Sequence, residues 1–164
     1  MNSGGSKRDR TAMRKAVVAL VGALALAGCL KPAEIEVEDA WVRLPAVAGR
    51  PAVGYFTLRG GEQPTRLVAV NADRAQRTEM HESMAGGGNG SGGGMTMTMR
   101  PIANLPLPPN GTIVFAPGAK HLMLFGVSPA LKPGGYTLFN FTFADGSRIE
   151  RKAWAIGAGD PAPE

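Results

Sequence analysis

From residue 34 onward, apolar and polar residues alternate in short runs separated by glycine and proline. No stretch sustains the i, i+3, i+4 recurrence of an amphipathic helix. A period of two, enriched in β-branched and aromatic residues, is the pattern of strands with one face buried. It predicts strands over Glu34–Arg43, Ala52–Arg59, Thr65–Asn71, Gln76–Glu82, Met95–Pro101, Thr112–Ala116, His121–Val127, Tyr136–Phe143 and Ser147–Ile156. In the Tyr136–Phe143 segment, Phe139, Phe141 and Phe143 alternate with Leu138, Asn140 and Thr142, as a core strand requires. Asn110-Gly111, Pro117-Gly118, Pro133-Gly134-Gly135 and Asp145-Gly146 are turn signals, because glycine accepts positive φ and proline presets its own. Many short strands at this spacing predict an all-β sandwich or small barrel with one core.

The two ends and one internal segment fall outside that pattern. Lys7, Arg8, Arg10, Arg14 and Lys15 precede an apolar run from Ala16 to Ala27, followed by Gly28 and Cys29. The run is well short of the roughly 20 residues a membrane-spanning helix needs, so residues 1–28 read as a secretion signal. Leu26-Ala27-Gly28-Cys29 resembles the lipobox of bacterial lipoproteins, which implies cleavage before Cys29 and acylation of its sulfur. Residues 29–33 would then tether the lipid to a domain over 34–156, anchored to a bacterial membrane. Gly86–Gly94 contains only Gly, Asn and Ser and reads as a flexible insertion between two strands of a hairpin. Residues 157–164, rich in Ala, Gly and Pro, are expected to be a disordered tail.

Setting the leader aside changes the charge. The whole chain has a formal charge of +5, but residues 29–164 carry 13 Lys and Arg against 12 Asp and Glu, a net +1. The basic balance belongs to targeting and gives no support to nucleic-acid binding. The only cysteine is Cys29, so the exported domain contains no thiolate and no disulfide. A blue-copper electron-transfer site, which needs a cysteine ligand, is thereby excluded. No Ser-His-Asp or Cys-His set is available beyond the two histidines, and an enzyme is not expected.

The chemistry concentrates around His121-Leu122-Met123, with Met99 upstream and His81 as the second histidine. In an extended chain, residues i and i+2 share a face, so His121 and Met123 can reach one ion while Leu122 points toward the core. The same rule puts Met95, Met97 and Met99 on one face, and periodicity does not choose among them; Met84 is a further thioether beside His81. Thioether sulfur favours soft Cu(I), whereas Zn(II) recruits thiolate, imidazole and carboxylate, and Mg(II) or Ca(II) recruits oxygen. In an oxidising compartment thioether is also harder to oxidise than thiolate.

His81-Glu82, Met97-Thr98-Met99-Arg100-Pro101 and Pro117-Gly118-Ala119-Lys120-His121-Leu122-Met123-Leu124 together resemble the PCuAC family of periplasmic copper chaperones. Asp39-Ala40-Trp41-Val42-Arg43 and Gly54-Tyr55-Phe56 resemble it as well. The family pattern is a His, a Met after ten intervening residues, a His after 21 more, then x-Met; here the first interval is 17 and the second 21. The glycine-rich insertion accounts for the excess of seven, and Met-Arg-Pro after Met99 carries the ligand role to Met99, with Met95, Met97 and Met84 as substitutes. The resemblance implies a cupredoxin-like Greek-key β-sandwich or barrel, Cu(I) held by His81, Met99, His121 and Met123, and a monomeric carrier. It implies delivery to the dinuclear centre on the copper-bearing subunit of cytochrome c oxidase, with a thioredoxin-like copper protein as co-worker. Copper storage or resistance without a dedicated acceptor, and a structural lipoprotein domain that binds no metal, are the competing readings. Trp41, Arg43, Tyr55 and Phe56 are expected in the core rather than at an interface.

Overall fold

The computed structural model describes residues 33–85 and 97–163. Residues 1–32, where the signal peptide and the Cys29 tether are expected, and residues 86–96, with the glycine-rich segment and Met95, lie outside the described residues.

Every regular element described is a strand: β1 (Glu36–Arg43), β2 (Ala52–Arg59), β3 (Thr65–Ala72), β4 (Arg77–Ala85), β5 (Met97–Pro101), β6 (Leu105–Leu107), β7 (Thr112–Phe115), β8 (Lys120–Phe125), β9 (Tyr136–Phe143) and β10 (Arg148–Ile156). They form one mixed sheet in the order β5-β4-β8-β7-β2-β1-β10-β9-β3-β6, with β8 also pairing β2. Most neighbours are antiparallel, while β1 with β10 and β7 with β8 run parallel. The fold is all-β, as the alternation predicts. β6 is the one strand the pattern did not announce: three residues, Leu105-Pro106-Leu107, are too few to show a period.

The sheet curls around one face. On that face lie Val42, Leu58, Leu67, Phe115, Leu122, Leu124, Phe139, Phe141 and Phe143, all essentially inaccessible. Phe56 stacks on Phe115 with centroids 4.2 Å apart and meets Phe141 edge-on at 4.8 Å. The Thr78 hydroxyl donates to the Val70 carbonyl and ties β4 to β3, two strands far apart in the sheet order. Gly54 is the contact point that a side chain cannot occupy, since a Cβ there would stand 2.8 Å from Phe139 Cζ and 3.2 Å from Leu124 Cδ1.

One buried polar side chain within this fold is Thr137, and Asp73 satisfies it. Thr137 Oγ1 donates to Asp73 Oδ1 at 2.6 Å, and the Leu138 N–H donates to the same oxygen at 2.8 Å. Partial burial pushes the Asp73 carboxyl up, but the Thr137 and Leu138 hydrogen bonds, with the neighbouring Arg74, outweigh it and hold it below the usual carboxylate range. A carboxyl with a depressed value in the folded state stabilises the protein fully above its unfolded value, near 3.9, and that contribution is lost as pH falls through the folded value. Denaturant midpoints measured from pH 6 to pH 2.5 should therefore decline less steeply below about pH 4 in Asp73→Asn than in the wild type. Parallel curves would assign no such role to Asp73.

The start of the C-terminal segment is tied to β1 by hydrogen bonds. Arg43 Nη1 donates to the carbonyls of Gly157, Ala158 and Asp160 at 3.2, 3.1 and 2.7 Å, and Gly157 N donates to Asp160 Oδ2 at 2.6 Å. A composition of small residues and prolines conveys nothing about an arginine 114 positions earlier that collects their carbonyls.

Candidate metal centre

The site grows from one tight turn. Pro117 and Gly118 occupy its centre, and Gly118 has φ +78°, the left-handed conformation that a type II turn demands at its third position. The Ala119 N–H donates to the Ala116 carbonyl at 3.0 Å, and Ala116 N donates back to Lys120 O at 2.8 Å. The turn leaves the Ala119 carbonyl aimed along β8, where it accepts from Ser83 N of β4 and lies 3.1 Å from His121 Nδ1. The sequence Pro-Gly-Ala-Lys-His thus orients its own imidazole: Nδ1 is the protonated nitrogen and Nε2 keeps its lone pair.

Register brings the other residues to that imidazole. β4 pairs β8 with His81 opposite His121 and Glu79 opposite Met123; β5 pairs β4 with Met99 opposite Ser83 and Pro101 opposite His81. Directly opposed residues share a face, and so do i and i+2 within a strand. His81, Met99, His121 and Met123 therefore lie on one face across three adjacent strands, and Leu122, fully buried, points to the other. The two imidazole centroids are 6.0 Å apart with planes inclined at 41°. His121 is buried at 5% exposure, His81 and Met123 are partly covered, and Met99 on the edge strand is 56% exposed.

Met84 is the exception among the sequence candidates. It pairs with Thr98, one step from the Ser83–Met99 pair, and a step of one in a strand turns a side chain to the opposite face. It stands exposed there, away from the two histidines. Met97, opposite Ala85, has the parity of Met99.

His81 is oriented by a carboxylate. Its Nε2 lies 3.0 Å from Glu79 Oε2, and Arg77 pairs with the other oxygen of the same carboxylate. With both outer nitrogens hydrogen-bonded, His81 Nδ1 and His121 Nε2 are left buried without a hydrogen-bond partner. Two partnerless buried lone pairs on facing residues are a cost that a bound cation removes. Among the described residues no three His, Cys, Asp or Glu side chains converge, so the remaining donors for such a cation are thioethers.

On the opposite face of the same strands, Glu82 accepts from Lys120 Nζ at 2.7 Å and from Arg100 at 3.3 Å, linking β8, β4 and β5. The Lys120 hydrogen bond and charge, followed by those of Arg100, hold the Glu82 carboxyl below its ordinary value. This ladder accompanies the register that puts His81 opposite His121.

Two further residues, buried as expected but outside the main hydrophobic cluster, belong to the site's face. Between the Glu38–Thr57 and Trp41–Tyr55 pairs, two residues of β1, Asp39 and Ala40, oppose one of β2, Phe56, a β-bulge with Asp39 at φ +49°. The extra residue inverts the alternation, so Trp41 joins Tyr55 on the face of Val53 and Met123. Their rings are 4.3 Å apart and both are 8% exposed; burial raises the Tyr55 phenol, partly opposed by Arg43. Phe56, by contrast, is in the core as expected. Glu79 was not singled out from the sequence, although its place two residues before His81 in a strand could have revealed it; the aromatic pair had no such signal, because a bulge carries no period of its own.

On this all-β scaffold two imidazoles and two thioethers share one face, a donor set whose softness suits a monovalent cation such as Cu(I). The chain belongs to the LpqE-like family, described as "Putative lipoprotein LpqE-like", whose profile matches residues 35–155. A curated relative, "Putative lipoprotein Lxx21020" of Leifsonia xyli subsp. xyli, is 26% identical over 113 residues, which is 69% of this chain; the match spans 64% of that relative's length. Among solved structures, the "Copper-bound PCuAC domain from PmoF2" matches with a TM-score of 0.60 at 20% identity, over 77% of this chain and 96% of that one. The solution structure of CuI-DR1885 from Deinococcus radiodurans matches with a TM-score of 0.51 at 23% identity, over 83% of this chain and 85% of that one. These likenesses establish a PCuAC-type fold.

Proposed function

We propose that this protein is an exported Cu(I) carrier that binds one ion through His81 Nδ1, His121 Nε2 and the sulfurs of Met99 and Met123. The observation that carries the proposal is the pair of buried, partnerless imidazole nitrogens on facing residues, flanked on the same face by thioethers. Two neutral imidazoles and two thioethers make a site charged only by its metal, which suits Cu(I) and disfavours Zn(II), Mg(II) and Ca(II). The copper-bound neighbours of the same fold support the choice of metal.

Delivery follows by ligand exchange. Met99 stands on an edge strand and is half exposed, so an incoming thiolate or imidazole can replace it while His121 and Met123 hold the ion. The acceptor we propose is the dinuclear copper centre on cytochrome c oxidase, with a thioredoxin-like copper protein acting alongside. Acylation of Cys29 would confine the carrier to the membrane surface on the periplasmic side and raise its effective concentration near a membrane-embedded acceptor.

Competition titration of residues 29–164 with a Cu(I) chelator should give one ion per chain. Met99→Leu should weaken it by roughly tenfold, about 1.4 kcal/mol, and Met97→Leu by less than about threefold. The reverse ranking would move the ligand role to Met97. Deletion of the protein should lower oxidase activity in copper-poor medium; a loss of copper tolerance alone would point to storage instead.

A further inference from the structure

We infer that Glu79 is a positioning residue for copper: its carboxylate fixes the His81 ring so that Nδ1, and not Nε2, is the nitrogen presented to the ion. The inference rests on the copper-binding reading above and names the side chain that orients one of its ligands.

The two histidines are held by unlike partners. His121 is fixed by the Ala119 carbonyl, a backbone acceptor that a side-chain substitution does not remove. His81 is fixed by a side chain, 3.0 Å from Glu79 Oε2. A carboxylate can only accept at neutral pH, so the proton of the His81 ring sits on Nε2 and the lone pair on Nδ1. Nδ1 is the atom that is buried and without a partner, whereas the tautomer protonated on Nδ1 would bury an N–H there and exclude the ion. Glu79 is itself held, because Arg77 pairs with its other oxygen and draws it along the strand. The Arg77 guanidinium in turn lies over the Phe125 ring, 4.1 Å from its centroid, which anchors the chain of contacts on β8. Arg77, Glu79 and His81 alternate along β4, so all three lie on the metal-facing side. Carboxylate–histidine pairs of this kind orient ligands and strengthen their donation to the metal.

The test uses residues 29–164, loaded with one Cu(I), and long-range proton–nitrogen spectra of the histidine rings. In the wild type, His81 should bind through Nδ1 with a Nε2 proton protected from solvent exchange, and His121 through Nε2. Glu79→Ala should lose the protected His81 proton, bind Cu(I) about 10- to 100-fold more weakly, and leave the His121 nitrogen assignment unchanged. A merely structural role for Glu79 would weaken folding without moving the His81 ring signals. Wild-type binding through His81 Nε2 overturns the inference without any variant, and so does a folded Glu79→Ala protein with affinity within twofold of the wild type. A wild type that takes up no Cu(I) overturns the copper reading itself, an outcome distinct from both.

Discussion

Replacing His121 and Met123 together with alanine should abolish one-to-one Cu(I) binding, with an affinity loss upwards of about 1,000-fold, or roughly 4 kcal/mol. Losing an outer partner of a ligand already costs 10- to 100-fold, and this variant removes two inner ones from the pre-oriented side of the site. His121 is the best-fixed donor: it is 5% exposed, its Nδ1 is engaged by Ala119, and its strand is held by β4 on one side and by β2 and β7 on the other. The apo variant should keep its fold, because Leu122 and Leu124 carry the core contacts of β8 and project from the other face. A chelator competition that returns an affinity within tenfold of the wild type, with an unchanged amide spectrum, would remove this pair from the site. Retention of binding by Met123→Ala alone, with loss in His121→Ala, would make the imidazole the dominant donor.

The largest effect on stability is expected at Phe141. Its side chain is fully buried, packs edge-on to Phe56 at 4.8 Å and lies 6.3 Å from Phe139, between rings that close the curled sheet. Phe141→Ala should destabilise the domain by about 3–5 kcal/mol, the transfer loss plus the cavity left among rigid neighbours. For a domain of this size that lowers the melting temperature by roughly 10 °C or more. Denaturant titration gives the free energy directly, and a loss below about 1.5 kcal/mol would mean that the aromatic cluster collapses to fill the space. Below its unfolding transition the variant should bind Cu(I) as the wild type does, since β4, β5 and β8 carry the donors on the opposite face.

Much of the site was legible in short stretches of sequence, and the reason is geometric. His121 and Met123 share a face because strands alternate, and Pro117-Gly118 orients the histidine within five residues, so no distant contact is needed. The strand pattern likewise located the core phenylalanines and nine of the ten strands described, with boundaries shifting by a few residues where pairing ends. Met84 shows the limit of proximity as a guide: only two positions separate it from Glu82 and three from His81, yet odd spacing places it on the wrong face. Trp41 shows the limit of alternation, because the bulge at Asp39 inverts its face and no residue type announces that inversion.

What the sequence determined by itself is local and periodic: the strands, the turns, the shared face of His121 and Met123, and a set of thioethers in a chain whose one cysteine is Cys29. What only the tertiary structure decided is register. His81 faces His121 across 40 residues of chain in the β4–β8 register, with Glu82 bridging Lys120 and Arg100 on the other face, and Met99 joins them because β5 pairs β4 with Ser83 opposite it. Register depends on hydrogen bonds and charge pairs between strands distant in sequence. A one-residue slip would preserve every local pattern while turning the whole donor set to the other side of the sheet.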